Sequence, residues 1–204
     1  SYYDDTNGDL RVTKCNDPVC AGGDETSTTV DAIGSVGWYT SIAIGNDGNP
    51  VISYYDLING DLRVTKCNDP ACAGGDETST AVDSTNNVGR DSSIAIGADG
   101  NPVISYYDYS NGDLRVTKCN DPACTGNNET STTVDSAGDV GWYTSIAIGV
   151  DGNPVISYYD FTNGDLRVTK CNDPVCAGGD ETPTTVDSTN NVGEYTSIAI
   201  GVDG

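Results

Sequence analysis

Residues 41–67 read Ser-Ile-Ala-Ile-Gly-Asn-Asp-Gly-Asn-Pro-Val-Ile-Ser-Tyr-Tyr-Asp-Leu-Ile-Asn-Gly-Asp-Leu-Arg-Val-Thr-Lys-Cys. Two tight-turn signals, Asp47-Gly48 and Asn59-Gly60, divide this stretch into three runs rich in Ile, Val, Tyr and Thr. Asp-Gly and Asn-Gly between apolar runs mark hairpins, because these residues tolerate the positive φ that a twisted two-residue turn demands. The stretch therefore predicts three consecutive antiparallel strands: a over Ser41–Gly45, b over Pro50–Asp56 and c over Asp61–Cys67. Asn68–Ser79, with Pro70, Gly74 and Gly75, reads as a loop. A fourth strand, d, is expected over Thr80–Ser84, and a loop over Thr85–Arg90 leads to the next strand a. No window carries the 3.6-residue apolar period of a helix.

The same text recurs along the chain. Ser1-Tyr2-Tyr3-Asp4 returns at Ser53, Ser105 and Ser157, 52 residues apart each time and without insertion or deletion. Asp9–Pro18 returns unchanged at Asp61, Asp113 and Asp165, and Ser41–Gly45 returns at Ser93, Ser145 and Ser197. The repeats are thus 1–52, 53–104, 105–156 and 157–204, and their near-identity implies internal duplication. A second rhythm lies beneath. The first and third repeats carry Gly37-Trp38-Tyr39 and Gly141-Trp142-Tyr143, whereas the second and fourth carry Ser-Thr-Asn-Asn-Val-Gly at Ser84 and Ser188. The array grew in pairs.

Alternation along the strands selects the architecture. Strand a sends Ile42 and Ile44 to one face, and Ser41, Ala43 and Gly45 to the other. Strand b sends Val51 and Tyr55 one way, Ile52 and Tyr54 the other. Both faces are expected to be covered, whereas a two-sheet sandwich would leave one face polar. The expected fold is therefore all-β: a β-propeller of four-stranded antiparallel blades, one 52-residue repeat per blade, in a single tandem-repeat domain over 1–204. Parallel β-helices use shorter coils and lack hairpin turns, and rank below.

The run Ile-Gly-x-Asp-Gly-Asn-Pro-Val-Ile-Ser-Tyr-Tyr-Asp, followed by Asn-Gly-Asp-Leu-Arg, resembles the SYYD tandem repeats of secreted bacterial and archaeal surface proteins. These are similar to sialidase-like and Asp-box propellers. The resemblance covers the whole chain and implies a propeller in an extracellular setting. It carries over no catalysis. Sialidase chemistry needs an arginine cluster, a Tyr nucleophile and acidic partners, whereas Arg11, Arg63, Arg115 and Arg167 occupy one equivalent repeat position and only Arg90 stands apart.

Charge narrows the partners. The chain has 31 acidic and nine basic residues, for a net charge of −22. No basic stripe exists to displace counterions from a nucleic acid, and anionic membrane surfaces would be repelled. No apolar run approaches the length of a membrane span. The chain opens inside a strand b at Ser1 and closes after a strand a and its turn at Gly204. Two arrangements follow. The strand Ser197, Ile198, Ala199, Ile200, Gly201 closes the first blade to give a four-bladed ring, or it pairs with a further stretch or a neighbouring molecule by strand addition across an open edge. The second is favoured, with the chain a window onto a longer array.

Candidate sites are few. Eight cysteines form four C-x4-C pairs: Cys15 and Cys20, Cys67 and Cys72, Cys119 and Cys124, Cys171 and Cys176. Even count and fixed spacing point to disulfides; zinc competes weakly, since the chain has no His. Pairing between blades stays open. Asp4, Asp9 and Asp47 lie in hairpin turns and supply the hard oxygens that calcium takes, although Asp is also an ordinary turn residue. Trp38-Tyr39 and Trp142-Tyr143 precede strand a on a loop expected to reach a propeller face. There they either stack on sugar rings or cap the interface between blades. Their slot holds Arg90-Asp91 and Glu194-Tyr195 in the other repeats, a freedom not expected of one sugar site per blade. Asn128-Glu129-Thr130 is the one N-x-[ST] sequon.

No His is present as a general base, no Gly-x-Ser-x-Gly elbow and no phosphate-binding loop, so catalysis is not expected. The expected role is an extracellular structural or adhesive repeat protein, self-associating head to tail into a surface filament or sheath. A carbohydrate-binding propeller is the alternative.

Overall fold

The computed structural model describes residues 1–126 and 128–202. All regular structure there is β. The first repeat supplies a three-stranded sheet, β1 (Tyr2–Asp4), β2 (Asp9–Lys14) and β3 (Thr26–Asp31). Three four-stranded sheets follow: β4 (Val36–Ile44), β5 (Pro50–Asp56), β6 (Asp61–Lys66) and β7 (Thr78–Asp83); β8 (Val88–Ile96), β9 (Pro102–Asp108), β10 (Asp113–Lys118) and β11 (Thr130–Asp135); β12 (Val140–Ile148), β13 (Pro154–Asp160), β14 (Asp165–Lys170) and β15 (Thr184–Asp187). Each sheet is an antiparallel meander in chain order. These are the expected propeller blades, although the sheets do not close into a ring.

Strand a begins five residues earlier than its alternation suggests. Gly37-Trp38-Tyr39, expected on a loop, lies inside β4, because two irregularities in register, at Val36/Trp38 and Trp38/Ser41, absorb the extra residues. Gly37 has φ +100° and Tyr39 φ +52°. The glycine is required twice over. A Cβ on Gly37 would stand 2.8 Å from Leu10 Cα, so the inner strand of one blade rests directly on strand c of the blade before it. Gly89, Gly141 and Gly193 repeat this approach to Leu62, Leu114 and Leu166.

The core lies between blades rather than within them. One cluster joins Val51, Leu62 and Val64 of one blade to Ile94, Tyr106 and the Cys119–Cys124 pair of the next. Every residue of β5 and β9 is buried, as expected for a strand covered on both faces. The cysteines bond within each repeat, Cys15 to Cys20, Cys67 to Cys72, Cys119 to Cys124 and Cys171 to Cys176, with Cα atoms 4.9–5.1 Å apart. The last three pairs are buried against the preceding blade. Disulfides of this kind belong to an oxidising compartment.

The Ser-Tyr-Tyr-Asp motif explains the cohesion of neighbouring blades. The hydroxyls of its first tyrosines, Tyr54, Tyr106 and Tyr158, donate to Asp31, Asp83 and Asp135 at the end of the preceding strand d, at 2.5–2.6 Å. Arg63, Arg115 and Arg167 bridge those same carboxylates to the motif Asp56, Asp108 and Asp160, at 2.8–3.7 Å. Burial, and then the Asp31 carboxylate, push the Tyr54 phenol up to about 12, so it remains a donor. The repeated arginine is structural, as its single repeat position implies.

Ser197–Gly201, expected as an assembly strand, has no sheet partner among the described residues. It lies along β12 as β12 lies along β8. Ile198 N–H donates to Ser145 Oγ at 3.2 Å, and Ile146 N–H to Ser93 Oγ at 3.2 Å. Inter-blade contacts thus hold it without a sheet hydrogen bond. The turn expected to end at Gly204 lies outside the described residues.

Candidate functional site

Three sheets carry a strand a, β4, β8 and β12, and residues 193–201 continue the series without sheet pairing; each of these four segments has one left-handed residue at the same bulge position. The bulge residue is Tyr39, Asp91, Tyr143 or Tyr195, always with φ between +52° and +56°. Left-handed backbone at a non-glycine residue costs energy and recurs here in all four repeats. The four bulge residues and the hydroxyl residues that follow them, Thr40, Ser92, Thr144 and Thr196, line one shallow, wide-open funnel of about 280 Å³.

The funnel has a hydrogen-bonded floor and a wall of tyrosines and one carboxylate. Floor hydroxyls are committed to the frame: Thr40 to Ser1 at 2.8 Å, and Ser92, Thr144 and Thr196 to Ser53, Ser105 and Ser157 at 2.9 Å. Ser92 and Thr196 also donate to the carbonyls of Tyr39 and Tyr143, one blade back. The serine of the repeated motif therefore anchors the floor. In the wall, the Tyr143 and Tyr195 rings lie 4.2 Å apart between centroids. The Tyr195 hydroxyl and burial hold the Tyr143 phenol protonated, pushed up to about 12. Tyr39 is likewise raised, by burial and then by Asp91.

Asp91 breaks the pattern as the one carboxylate in the tyrosine slot. It accepts the Tyr143 N–H at 3.2 Å. Burial pushes its carboxyl upward, against that hydrogen bond and the charge of Arg90.

The expected aromatic residues divide between two tasks. Trp38 lies 4.6 Å from Tyr3 of the preceding blade and donates to Ser35 at 3.2 Å. Trp142 lies 4.7 Å from Tyr107, stacks on Phe161 at 5.6 Å and donates to Asp139 at 2.8 Å. The indoles fill blade junctions, while Tyr39 and Tyr143 reach the axis. Asp91 and Tyr195 were not singled out as ligand residues, although the 52-residue register places them in the same slot. Variation in that slot counted against one site per blade. With all four slots lining one pocket, the same variation makes that pocket asymmetric.

The calcium candidates do not come together. Asp4 and Asp9 sit at the b–c turn of the first sheet and Asp47 at the a–b turn of the second. The Asp4 carboxylate is held low by Asn7, which donates at 2.9 Å, and Asp47 by Lys66 at 2.7 Å. The oxygens of Asp4 and Asp47 thus already have protein partners. No group of three or more His, Cys, Asp or Glu among the described residues is arranged to hold a metal. No helix there is long and apolar enough to cross a membrane.

No protein-family model matches the chain, and no curated protein matches it in sequence. Solved structures do match its fold. An α-L-arabinofuranosidase from Lactobacillus brevis is similar at TM-score 0.51 and 9% identity, over 73% of this chain and 53% of that one. A GH43 β-1,3-galactosidase is similar at 0.50 and 13%, over 75% and 32%. A bifunctional GH43-CE protein from Bacteroides eggerthii is similar at 0.53 and 12%, over 94% and 24%. The chain thus spans about half, a third and a quarter of those proteins. At such identities the likeness shows the fold alone. It does overturn one expectation. Catalysis was not expected because the chain has no His, no Gly-x-Ser-x-Gly elbow and no phosphate-binding loop, yet blades of this shape are found in glycoside hydrolases, which work with carboxylates and need no His. The fold gives no ground for excluding an enzyme.

Proposed function

We propose that the protein is an extracellular or cell-surface glycan-binding propeller whose site is the axial funnel. The observation that carries this reading is the convergence of Tyr39, Tyr143, Tyr195 and Asp91 from four repeats onto one open cavity. Tyrosine faces stack on the apolar faces of sugar rings, and phenol and carboxylate oxygens pair with sugar hydroxyls. A volume of about 280 Å³ is near the lower end for small-molecule sites and suits a single sugar unit rather than an extended chain. The carbohydrate-active neighbours support it as analogy of fold only. The resemblance to secreted SYYD-repeat proteins, and one domain built of all four repeats, belong to the same proposal.

The test is a glycan array followed by calorimetry on the best ligands, with product analysis of the bound glycan. Binding lost in Tyr143→Ala and Tyr39→Ala and kept in Trp38→Phe supports the funnel. Release of a shortened glycan assigns hydrolysis to the same site. No binding across the array refutes the reading.

A structural or adhesive role is a second reading, favoured by one observation. Ser197–Gly201 has the sequence of strands that pair with a strand b, and β1 has an open edge on that side. Its test is electron microscopy of the native material, where filaments with blades running continuously between units support it and isolated discs count against it.

A further inference from the structure

We infer that the funnel recognises a sugar bearing a free, protonated amino group, of the glucosamine type, with Asp91 as the anion that receives the ammonium. The inference rests on the glycan reading of the same site and adds a chemical class to it. Three tyrosines and one carboxylate line the same shallow pocket, with the Tyr143 and Tyr195 rings 4.2 Å apart and Asp91 held on the Tyr143 N–H. Aromatic faces attract a cation within about 6 Å of the ring centroid, and a carboxylate supplies the charge-assisted hydrogen bond.

Asp91 is free for this task. Its one hydrogen bond among the described residues is from the Tyr143 N–H. Arg90 precedes it in the chain and forms no ion pair with it there. The guanidinium instead lies 3.7 Å over the Tyr109 ring and 5.5 Å from the Tyr55 ring. Asp91 is thus a partly buried carboxylate with no direct ion pair among the described residues, and the Arg90 charge acts on it only from a distance. A neutral sugar leaves that charge without an ion pair, and a carboxylated sugar is repelled by it. An ammonium satisfies it. The net charge of −22 adds a field that draws small cations toward the cleft.

The experiment compares glucosamine with N-acetylglucosamine by calorimetry at about 0.15 M salt, where exposed charges beyond roughly 8 Å are screened. Wild type and Asp91→Asn are measured side by side. The variant is near-isosteric and keeps an oxygen that can accept the Tyr143 N–H. The expected result is tighter binding of the amino form by tenfold or more, with that preference lost in Asp91→Asn, as for removal of a charged hydrogen-bond partner. Equal binding of the two sugars, or a preference that survives Asp91→Asn, overturns the inference and leaves the glycan reading standing. The second outcome would place the ammonium on the diffuse acidic surface. If neither sugar binds while the array yields a neutral ligand lost in Tyr143→Ala, the amine inference alone falls. If nothing on the array binds, both fall.

Discussion

Replacing Tyr106 by Phe isolates the hydrogen bond on which blade cohesion depends. Tyr106 is fully buried in β9, and its hydroxyl reaches back to Asp83 at the end of β7 in the preceding blade, at 2.5 Å. It also shares a 3.0 Å hydrogen bond with Thr117. Phenylalanine keeps the ring and its apolar contacts, so no large cavity opens. Thr117 retains Ser131 at 2.7 Å, and Asp83 retains Arg115 at 3.3 Å and the Thr85 N–H at 3.0 Å. What disappears is one hydrogen bond to a buried carboxylate, which contributes roughly 1.5–3 kcal/mol. A loss of about 2 kcal/mol lowers Tm by roughly 4–8 °C in a chain of this size. Urea and thermal unfolding in non-reducing buffer measure it, with the midpoint falling at constant m. The control is Tyr55→Phe, whose hydroxyl meets the neutral amide oxygen of Asn87 at 2.9 Å and is expected to cost about 1 kcal/mol. If Tyr106→Phe costs no more than Tyr55→Phe, the tyrosine–aspartate link does not hold the blades and the reasoning fails.

Asp91→Asn is expected to raise Tm at neutral pH. Burial lifts the Asp91 carboxyl above its ordinary value, so its ionised form is less favourable folded than unfolded. That cost is absent where Asp91 is protonated in both states, near pH 3, and present above the folded-state titration, so the gain should vanish near pH 3. The charged and titrating groups around it are Arg90, Tyr39, Tyr143, Tyr195 and Glu194, and a gain independent of pH would assign the effect to packing instead. Gly89→Ala puts a Cβ 2.7 Å from Leu62 Cα at φ +104°, and should cost at least about 2 kcal/mol. Gly75→Ala, at φ +70° with open space around it, should cost about 1 kcal/mol, so equal losses in urea melts would refute the close-approach argument. The double change Cys67→Ser, Cys72→Ser removes a short loop closure and should lower stability by about 2 kcal/mol, measured against wild type without reductant; an unchanged midpoint would deny the disulfide a stabilising role.

The blades were legible because their signals are local. Asp47-Gly48 and Asn59-Gly60 fix two hairpins, and period-two alternation with apolar residues on both faces fixes a strand buried on both sides. Duplication then multiplies one reading by four. The early start of strand a was hidden because Gly37 and Tyr39 take positive φ and interrupt the alternation on which strand reading depends. The site was half legible. Tyr39 and Tyr143 stood out beside tryptophan, but Asp91 and Tyr195 did not, since their importance lies in radial convergence, which no local pattern encodes.

The most direct test of the account is a crystal structure of the protein with the best ligand from the glycan array. The account places the sugar on the axis, against Tyr143 and Tyr195 and within hydrogen-bonding distance of Asp91. Sugar bound instead at the Trp38 and Trp142 junctions, repeated from blade to blade with the axis empty, would contradict it.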